Sequence, residues 1–182
     1  MSAKGSAHDV VQEYMNTGIL NASDYDIEVT NQNDLPGYAY RISIEDLNNR
    51  PSADIKVGQP WQIRVYVKIK QDIQDLVIGI GMLTTSDLTL RTSWTRAFEA
   101  KPGEYEIVFS EDNIILEPGK YPIVIGLSQH GQTFQYAADA GYINIIEMTT
   151  FEEQSRYQRI GKCGFLLNPM KVYVNYINKC SK

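Results

Sequence analysis

Leu116-Glu-Pro-Gly-Lys-Tyr-Pro-Ile-Val-Ile-Gly-Leu127 is the stretch that decides the fold of this 182-residue chain. Pro118-Gly119 predicts a turn, because proline presets one turn torsion and glycine accepts a positive one. After the turn the side chains alternate with a period of two, which is typical of a β-strand with one buried face. The predicted inner face carries Tyr121, Ile123, Ile125 and Leu127. We therefore expect a central β-strand here.

Tyr121 opens this strand directly after the turn. A tyrosine in that place is typical of the tyrosine corner of immunoglobulin-like sandwiches, in which the hydroxyl bonds to upstream backbone. The alternative is an ordinary core tyrosine at the head of a strand. Both interpretations place the segment in the centre of a β-structure.

Further alternating segments lie on both sides of this strand, with turns between them, at the roughly 8–12-residue spacing of β-sandwiches. They are residues 38–45, 61–69, 76–84, 90–98, 104–110 and 141–147. The clearest is 61–69, whose predicted inner face is Trp61, Ile63, Val65, Val67 and Ile69. No long amphipathic helix separates the segments, which argues against a parallel α/β fold. The sequence predicts an all-β protein, an immunoglobulin-like antiparallel β-sandwich over residues 38–148.

The two ends of the chain differ from this β-pattern. Residues 1–37 predict a short helix at 8–16, followed by a linker rich in Asn, Asp and Gly at 17–37. Residues 149–182 form a C-terminal extension that ends in an alternating strand at 171–177. A late strand of this kind is a candidate to pair with an exposed edge, in this chain or swapped into a partner.

Composition and motif searches exclude several classes of function. The net charge of −5 argues against nucleic acid, which rewards clustered Lys and Arg. We find no phosphate-binding loop, dinucleotide fingerprint, nucleophile elbow or metalloprotease motif. Cys163 and Cys180 lack the companions of a zinc site, and no signal peptide or membrane-spanning run is present. We expect a non-catalytic protein of a reducing compartment, without a cofactor or metal.

A binding face has more support than catalysis. Gly79 and Gly81 share the outward phase of the 76–84 strand, and Gly126 lies on the outward phase of the central strand. Because glycine weakens a strand, such a set calls for a reason, such as close approach of a ligand. In an immunoglobulin-like order the two strands are neighbours, so the glycines would form a shallow trough. The alternative is a curved sheet in which glycine relieves crowding.

Residues that could surround this trough come from two segments. Residues 128–139 predict a loop with polar and aromatic side chains, including Gln135, and the strand around Trp94 adds Arg91 and Arg96. Aromatic faces beside amide and guanidinium donors suit a sugar, although Trp94 could equally be a core residue. The candidate carbohydrate site comprises Gly79, Gly81, Trp94, Arg96, Gly126, His130, Gln132 and Tyr136.

The order of these features resembles the C-terminal module of Wzt-type ATP-binding subunits of O-antigen polysaccharide ABC exporters. The segments that carry the resemblance are Arg41–Leu47, Val57–Val65, Leu76–Met82 and Leu116–Ile125. The similarity covers about residues 38–148, and Val10–Tyr14 is similar to the helix that closes the ATPase domain in that family.

The resemblance implies a carbohydrate-binding domain that recognises O-antigen polysaccharide and couples binding to export, with the ATPase domain elsewhere in the full-length protein. It also implies a homodimer, a transmembrane exporter subunit as partner, and a cytoplasmic location at the inner membrane. The alternative is a structural β-sandwich that docks subunits without binding glycan.

Overall fold

The computed structural model describes residues 22–112, 114–147 and 165, which form β-strands and no helix. The strands are β1 (Asp24–Asp26), β2 (Gly37–Glu45), β3 (Asp54–Lys56), β4 (Trp61–Ile69), β5 (Ile73–Leu83), β6 (Thr89–Trp94), β7 (Phe98–Ala100), β8 (Gly103–Glu111), β9 (Gly119–Gln129) and β10 (Gln132–Ile146). The all-β prediction is confirmed. Among the described residues, no helix is long and apolar enough to cross a membrane.

The strands form two sheets packed face to face. The smaller sheet has the order β1-β2-β4-β8, and the larger has the order β3-β10-β9-β5-β6, with β7 also paired to β5. All pairs are antiparallel except β3, which runs parallel to β10. The core lies between the sheets, and the predicted inner faces of β4 and β9 are at most 4% exposed. This is the predicted β-sandwich.

The corner between β8 and β9 carries the chain from the smaller sheet to the larger. The Tyr121 hydroxyl donates a 2.6 Å hydrogen bond to the backbone carbonyl of Glu117, which confirms the tyrosine corner. Burial, with a smaller contribution from the Glu117 carboxylate, raises the pKa of Tyr121 to about 12. The backbone N–H of Glu117 in turn donates to the carbonyl of Phe165.

Some boundaries differ from the sequence-based prediction. Part of the expected 17–37 linker forms β1, because Tyr25 turns inward from it and packs against Gly141 and Tyr142 of β10. Two short strands, β6 and β7, replace the single strand expected at 90–98. The helix expected at 8–16 and the strand expected at 171–177 lie outside the described residues.

The predicted 128–139 loop is wrong. His130 and Gly131 form a two-residue connection between β9 and β10, and both have positive φ (48° and 76°). That conformation is typical of the type I′ hairpin turn, whose twist matches the flanking strands. β10 then continues through two irregularities, between Thr133 and Gln135 and between Ala137 and Gly141.

Gln135 joins the two sheets through the core. Its Oε1 accepts a 2.7 Å hydrogen bond from the Ala39 N–H, and its Nε2 donates a 2.9 Å bond to the Ala39 carbonyl. Ala39 is fully buried at an irregularity in β2, so these bonds supply partners that its backbone groups need. Gln135 is therefore a structural residue, and its side chain points away from the outer face.

Replacement of this amide tests its structural role. Gln135→Leu leaves the buried N–H and carbonyl of Ala39 without partners, and we expect the free energy of unfolding to fall by about 2–4 kcal/mol. Urea denaturation measures the change. Gln132→Leu, an exposed glutamine on the same strand, is the control and should shift stability by less than about 0.5 kcal/mol. Equal effects of the two variants would contradict the role.

The tyrosine corner gives a second stability prediction. Tyr121→Phe removes one hydrogen bond and should lower the free energy of unfolding by about 1 kcal/mol at neutral pH, with an unchanged urea m-value. The pKa of Tyr121 is about 12 in the folded protein and about 10 in the unfolded chain. The contribution of the Tyr121 hydroxyl to folding stability is therefore complete below pH about 10 and is lost as the pH rises toward 12. In urea denaturation at pH 8, 10 and 11.5, the free energy of unfolding of the wild-type should fall relative to that of Tyr121→Phe as the pH rises. A difference between the two proteins that stays constant with pH would contradict the raised pKa of Tyr121.

Candidate functional site

A row of four residues crosses the outer face of the larger sheet. Trp94 of β6 pairs with Gly79 of β5, Gly79 pairs with Gly126 of β9, and Gly126 pairs with Tyr136 of β10. Three strand spacings separate the outer members, so their backbones lie about 14 Å apart. Both aromatic side chains are 66% exposed. We call these four residues the aromatic–glycine row, and Trp94 is evidently not a core residue.

The glycines of this face have different surroundings. A Cβ on Gly79 would lie 2.8 Å from Cδ1 of Trp94, so the indole rests against the Gly79 backbone. A Cβ on Gly81 would lie 2.6 Å from Cγ2 of Val124. These two glycines relieve crowding, as the alternative interpretation held. A Cβ on Gly126 would meet nothing nearer than 3.9 Å, so Gly126 forms the low floor beside the Tyr136 ring.

The paired residues that flank the row on this face have small and uncharged side chains, while Arg96 follows the end of β6 and Asp139 lies in the second irregularity of β10. The strand register places one neighbouring row of residues on each side of the aromatic–glycine row. The sequence analysis did not name most of these residues as site residues, although they lie on the outward phase of their strands. These flanking residues are Val77, Ser128 and Thr133 on one side and Gly81, Val124 and Thr92 on the other. Hydroxyl groups thus lie close to two exposed aromatic rings.

Other predicted site residues lie at the margins. Arg96 is exposed in the connection that follows Trp94. His130 lies at the hairpin tip, four residues or about 13 Å along the strand from Gly126, and its Nδ1 is 2.8 Å from Oδ2 of Asp75. Gln132 is exposed beside that tip. The fold brings together Gly79, Gly81, Trp94, Gly126 and Tyr136, but it does not bring His130 or Gln132 to the centre of the row.

Arg91 has a different role from the one its position next to Trp94 suggested. It pairs with Met82 on the inward phase of β6 and forms an ion pair with Glu111 of β8. This pair spans a cleft of about 250 Å³ between the edges of the two sheets, lined by Trp61, Ile80, Met82, Arg91, Ser93, Val108, Phe109, Ser110 and Glu111. Arg91 therefore does not contribute to the outer face.

The outer face of the smaller sheet has the opposite character. Arg64 bonds Glu45 and Glu106, each at 2.9 Å, and Arg41 lies 4.0 Å above the Tyr66 ring. Burial opposes ionisation of Glu45, but hydrogen bonds from Arg64 and Gln62 outweigh it and lower the pKa. Arg64, Glu45 and Glu106 thus pair with one another, and Glu45 is only 4% exposed.

The chain's sequence matches the family model of the Wzt C-terminal domain over residues 40–157. It belongs to the Wzt C-terminal domain family. Membership associates the domain with ABC exporters. Among solved structures, the crystal structure of the C-terminal domain of Wzt is similar with a TM-score of 0.60 at 12% identity, covering 85% of this chain and 89% of that chain. At that identity the likeness shows the fold alone.

Two further structures have TM-scores of 0.35, which is too low to carry an argument. One is Pseudomonas fluorescens alkylpurine DNA glycosylase AlkC bound to DNA containing an abasic site analog, at 12% identity over 57% of this chain and 30% of that chain. The other is the β-glucosidase EmGH1 from Erythrobacter marinus, at 18% identity over 60% and 15%. No curated protein matches the sequence.

The packing of Trp94 on Gly79 is open to a direct test in this Wzt C-terminal domain. Gly79→Ala places a methyl group where the indole lies, so the Trp94 ring must move, and we expect a clear shift of its indole N–H resonance. Gly126→Ala is the matched control, because its methyl group has at least 3.9 Å of clearance and should leave that resonance in place. Equal responses from the two variants would contradict the contact.

Proposed function

We propose that this domain binds O-antigen polysaccharide without catalysis, through the aromatic–glycine row, and couples that binding to export by an ABC transporter. The observation that carries the proposal is the placement of Trp94 and Tyr136. Both rings are 66% exposed on the same face of the sheet. They lie in one row of paired residues across four strands, with two glycines between them.

Sugar chemistry fits this surface. The C–H faces of a pyranose pack on aromatic rings, and its hydroxyl groups pair with short polar side chains such as Thr92, Ser128 and Thr133. Each hydrogen bond on an open face contributes only about 0.5–1.5 kcal/mol. Stacking on the two rings therefore provides most of the affinity, and binding per site is weak. Arg96, His130 and Gln132 would contact glycan only at the margins of the site.

The positions of the carboxylate side chains near the row support the proposal of a non-catalytic domain. Glycoside hydrolysis normally needs two of them on either side of one bond, about 5–9 Å apart. The six flanking residues named above carry no carboxylate, and Asp139, in the second irregularity of β10, is the one acid of that strand. Glu111, the buried acid at the end of β8, faces Arg91 instead.

The wider assembly belongs to the same proposal. By family association, the domain would act in the cytoplasm at the inner membrane, as a homodimer, with its ATPase domain and a transmembrane exporter subunit as partners. Within the described strands, β6 and β8 each end a sheet, so each offers an edge to a further strand such as the one predicted at 171–177.

Substitution of the two rings tests the site. Trp94→Ala and Tyr136→Ala should each weaken binding of the producing strain's own O-polysaccharide about tenfold or more, because each removes a stacking surface. Isothermal titration measures the affinity. Leu88→Ala, which removes an apolar side chain that is 61% exposed at the β5–β6 connection, is the control and should bind normally.

The outcomes separate the two candidate functions. Normal binding by both ring variants would place the glycan elsewhere on the domain. If the wild-type protein binds no polysaccharide at millimolar repeat-unit concentration, the domain docks subunits without reading glycan.

A further inference from the structure

Trp94 occupies the last position of β6, where its backbone has little direct support. β6 ends the larger sheet, so none of the described strands lies on its outer side. On the side that faces β5, hydrogen-bonded and non-hydrogen-bonded positions alternate, as in any antiparallel pair. Thr95, the next residue, bonds to Ile78 of β5, so Trp94 takes the non-hydrogen-bonded position opposite Gly79. The place of Trp94 therefore depends on the residues before and after it.

Thr95 joins the end of β6 to β5 through both its backbone and its side chain. Its N–H donates a 2.9 Å hydrogen bond to the Ile78 carbonyl, and its Oγ1 accepts a 3.0 Å bond from the Ile78 N–H. In a continuing antiparallel ladder, the second bond would go to the Thr95 carbonyl. Because the hydroxyl takes that place, β6 can end after Trp94 while the fully buried Ile78 keeps a partner for its N–H.

The indole of Trp94 rests on the backbone of Gly79, where a Cβ would lie 2.8 Å from the indole Cδ1. This contact requires the two strands to stay paired up to the last residue of β6. Strand ends open more readily than strand centres, because they have fewer hydrogen bonds and fewer buried contacts. Opening of β6 at Thr95 would free the ring from Gly79 and take it out of the aromatic–glycine row.

We propose that Thr95 is a positioning residue of the glycan site, whose hydroxyl bond to Ile78 holds the Trp94 ring on Gly79. This inference rests on the function proposed above, in which Trp94 stacks on a sugar. Ordering a mobile side chain on binding reduces affinity, and a ring that is already held in place avoids that loss. Thr95 acts on the sugar only through Trp94.

Removal of the Thr95 hydroxyl tests this role in the 182-residue protein. Thr95→Val replaces the hydroxyl with a methyl group that cannot accept the bond from Ile78. We expect the Ile78 amide hydrogen to exchange about tenfold faster or more, and the heteronuclear NOE of the Trp94 indole N–H to fall. The affinity for the producing strain's O-polysaccharide, measured by isothermal titration, should fall about twofold to tenfold, because the ring must then be ordered on binding. Thr95→Ser keeps the hydroxyl and should restore all three values.

Thr84→Val is the matched control at the other end of the β5–β6 pair. The Thr84 hydroxyl accepts a 3.1 Å bond from the Leu88 N–H, and Thr84 is 1% exposed. Its loss should lower the free energy of unfolding in the same way as the loss of the Thr95 hydroxyl. The control should nevertheless leave the Trp94 indole rigid and the affinity for polysaccharide unchanged.

Measurements on the ring and on the glycan separate the possible failures. A Trp94 indole that is as rigid in Thr95→Val as in the wild-type would overturn the positioning role. Equal changes in Thr95→Val and Thr84→Val would also overturn it, because they would indicate general destabilisation. A ring that becomes mobile while the affinity stays unchanged would instead defeat the proposed glycan site at Trp94.

Discussion

The hydrogen bond from the Tyr121 hydroxyl to the Glu117 carbonyl fixes the point at which β9 begins. In a strand with one buried face, a slip of one residue moves every side chain to the opposite face. Such a slip would place Gly126 in the core and Leu127 on the surface. The same register sets Gly126 opposite both Gly79 and Tyr136. The aromatic–glycine row therefore depends on the register of β9, to which the tyrosine corner contributes at the other end of the strand.

The two outer faces of the sandwich differ in the kind of side chain that they expose. On the smaller sheet, Arg64 links Glu45 and Glu106, so charged groups find partners within the face. On the larger sheet, Trp94 and Tyr136 present rings without a covering side chain from the described residues. Single exposed apolar residues are common, but two aligned aromatic rings on one face support the proposed binding surface.

β10 connects the core to the aromatic–glycine row. The irregularity between Thr133 and Gln135 adjusts the phase of the strand, so that Gln135 points inward and Tyr136 points outward. The bonds from Gln135 to Ala39 then hold β10 against the smaller sheet. Tyr136 is thus anchored through its neighbour, which gives the ring a rigid support. Its position depends on contacts between residues about a hundred positions apart in the chain.

The sequence by itself determined the β-sandwich, the inner faces of β4 and β9, the tyrosine corner and the outward phase of the three glycines, because these follow from local alternation and turn chemistry. It also singled out Trp94 and Tyr136, but it did not show that they share one row. That depends on pairing across four strands, on a His-Gly turn without the usual Asn-Gly signal, and on the irregularities of β10. Only the tertiary structure decided these features, because register between distant strands is set by packing of the whole core.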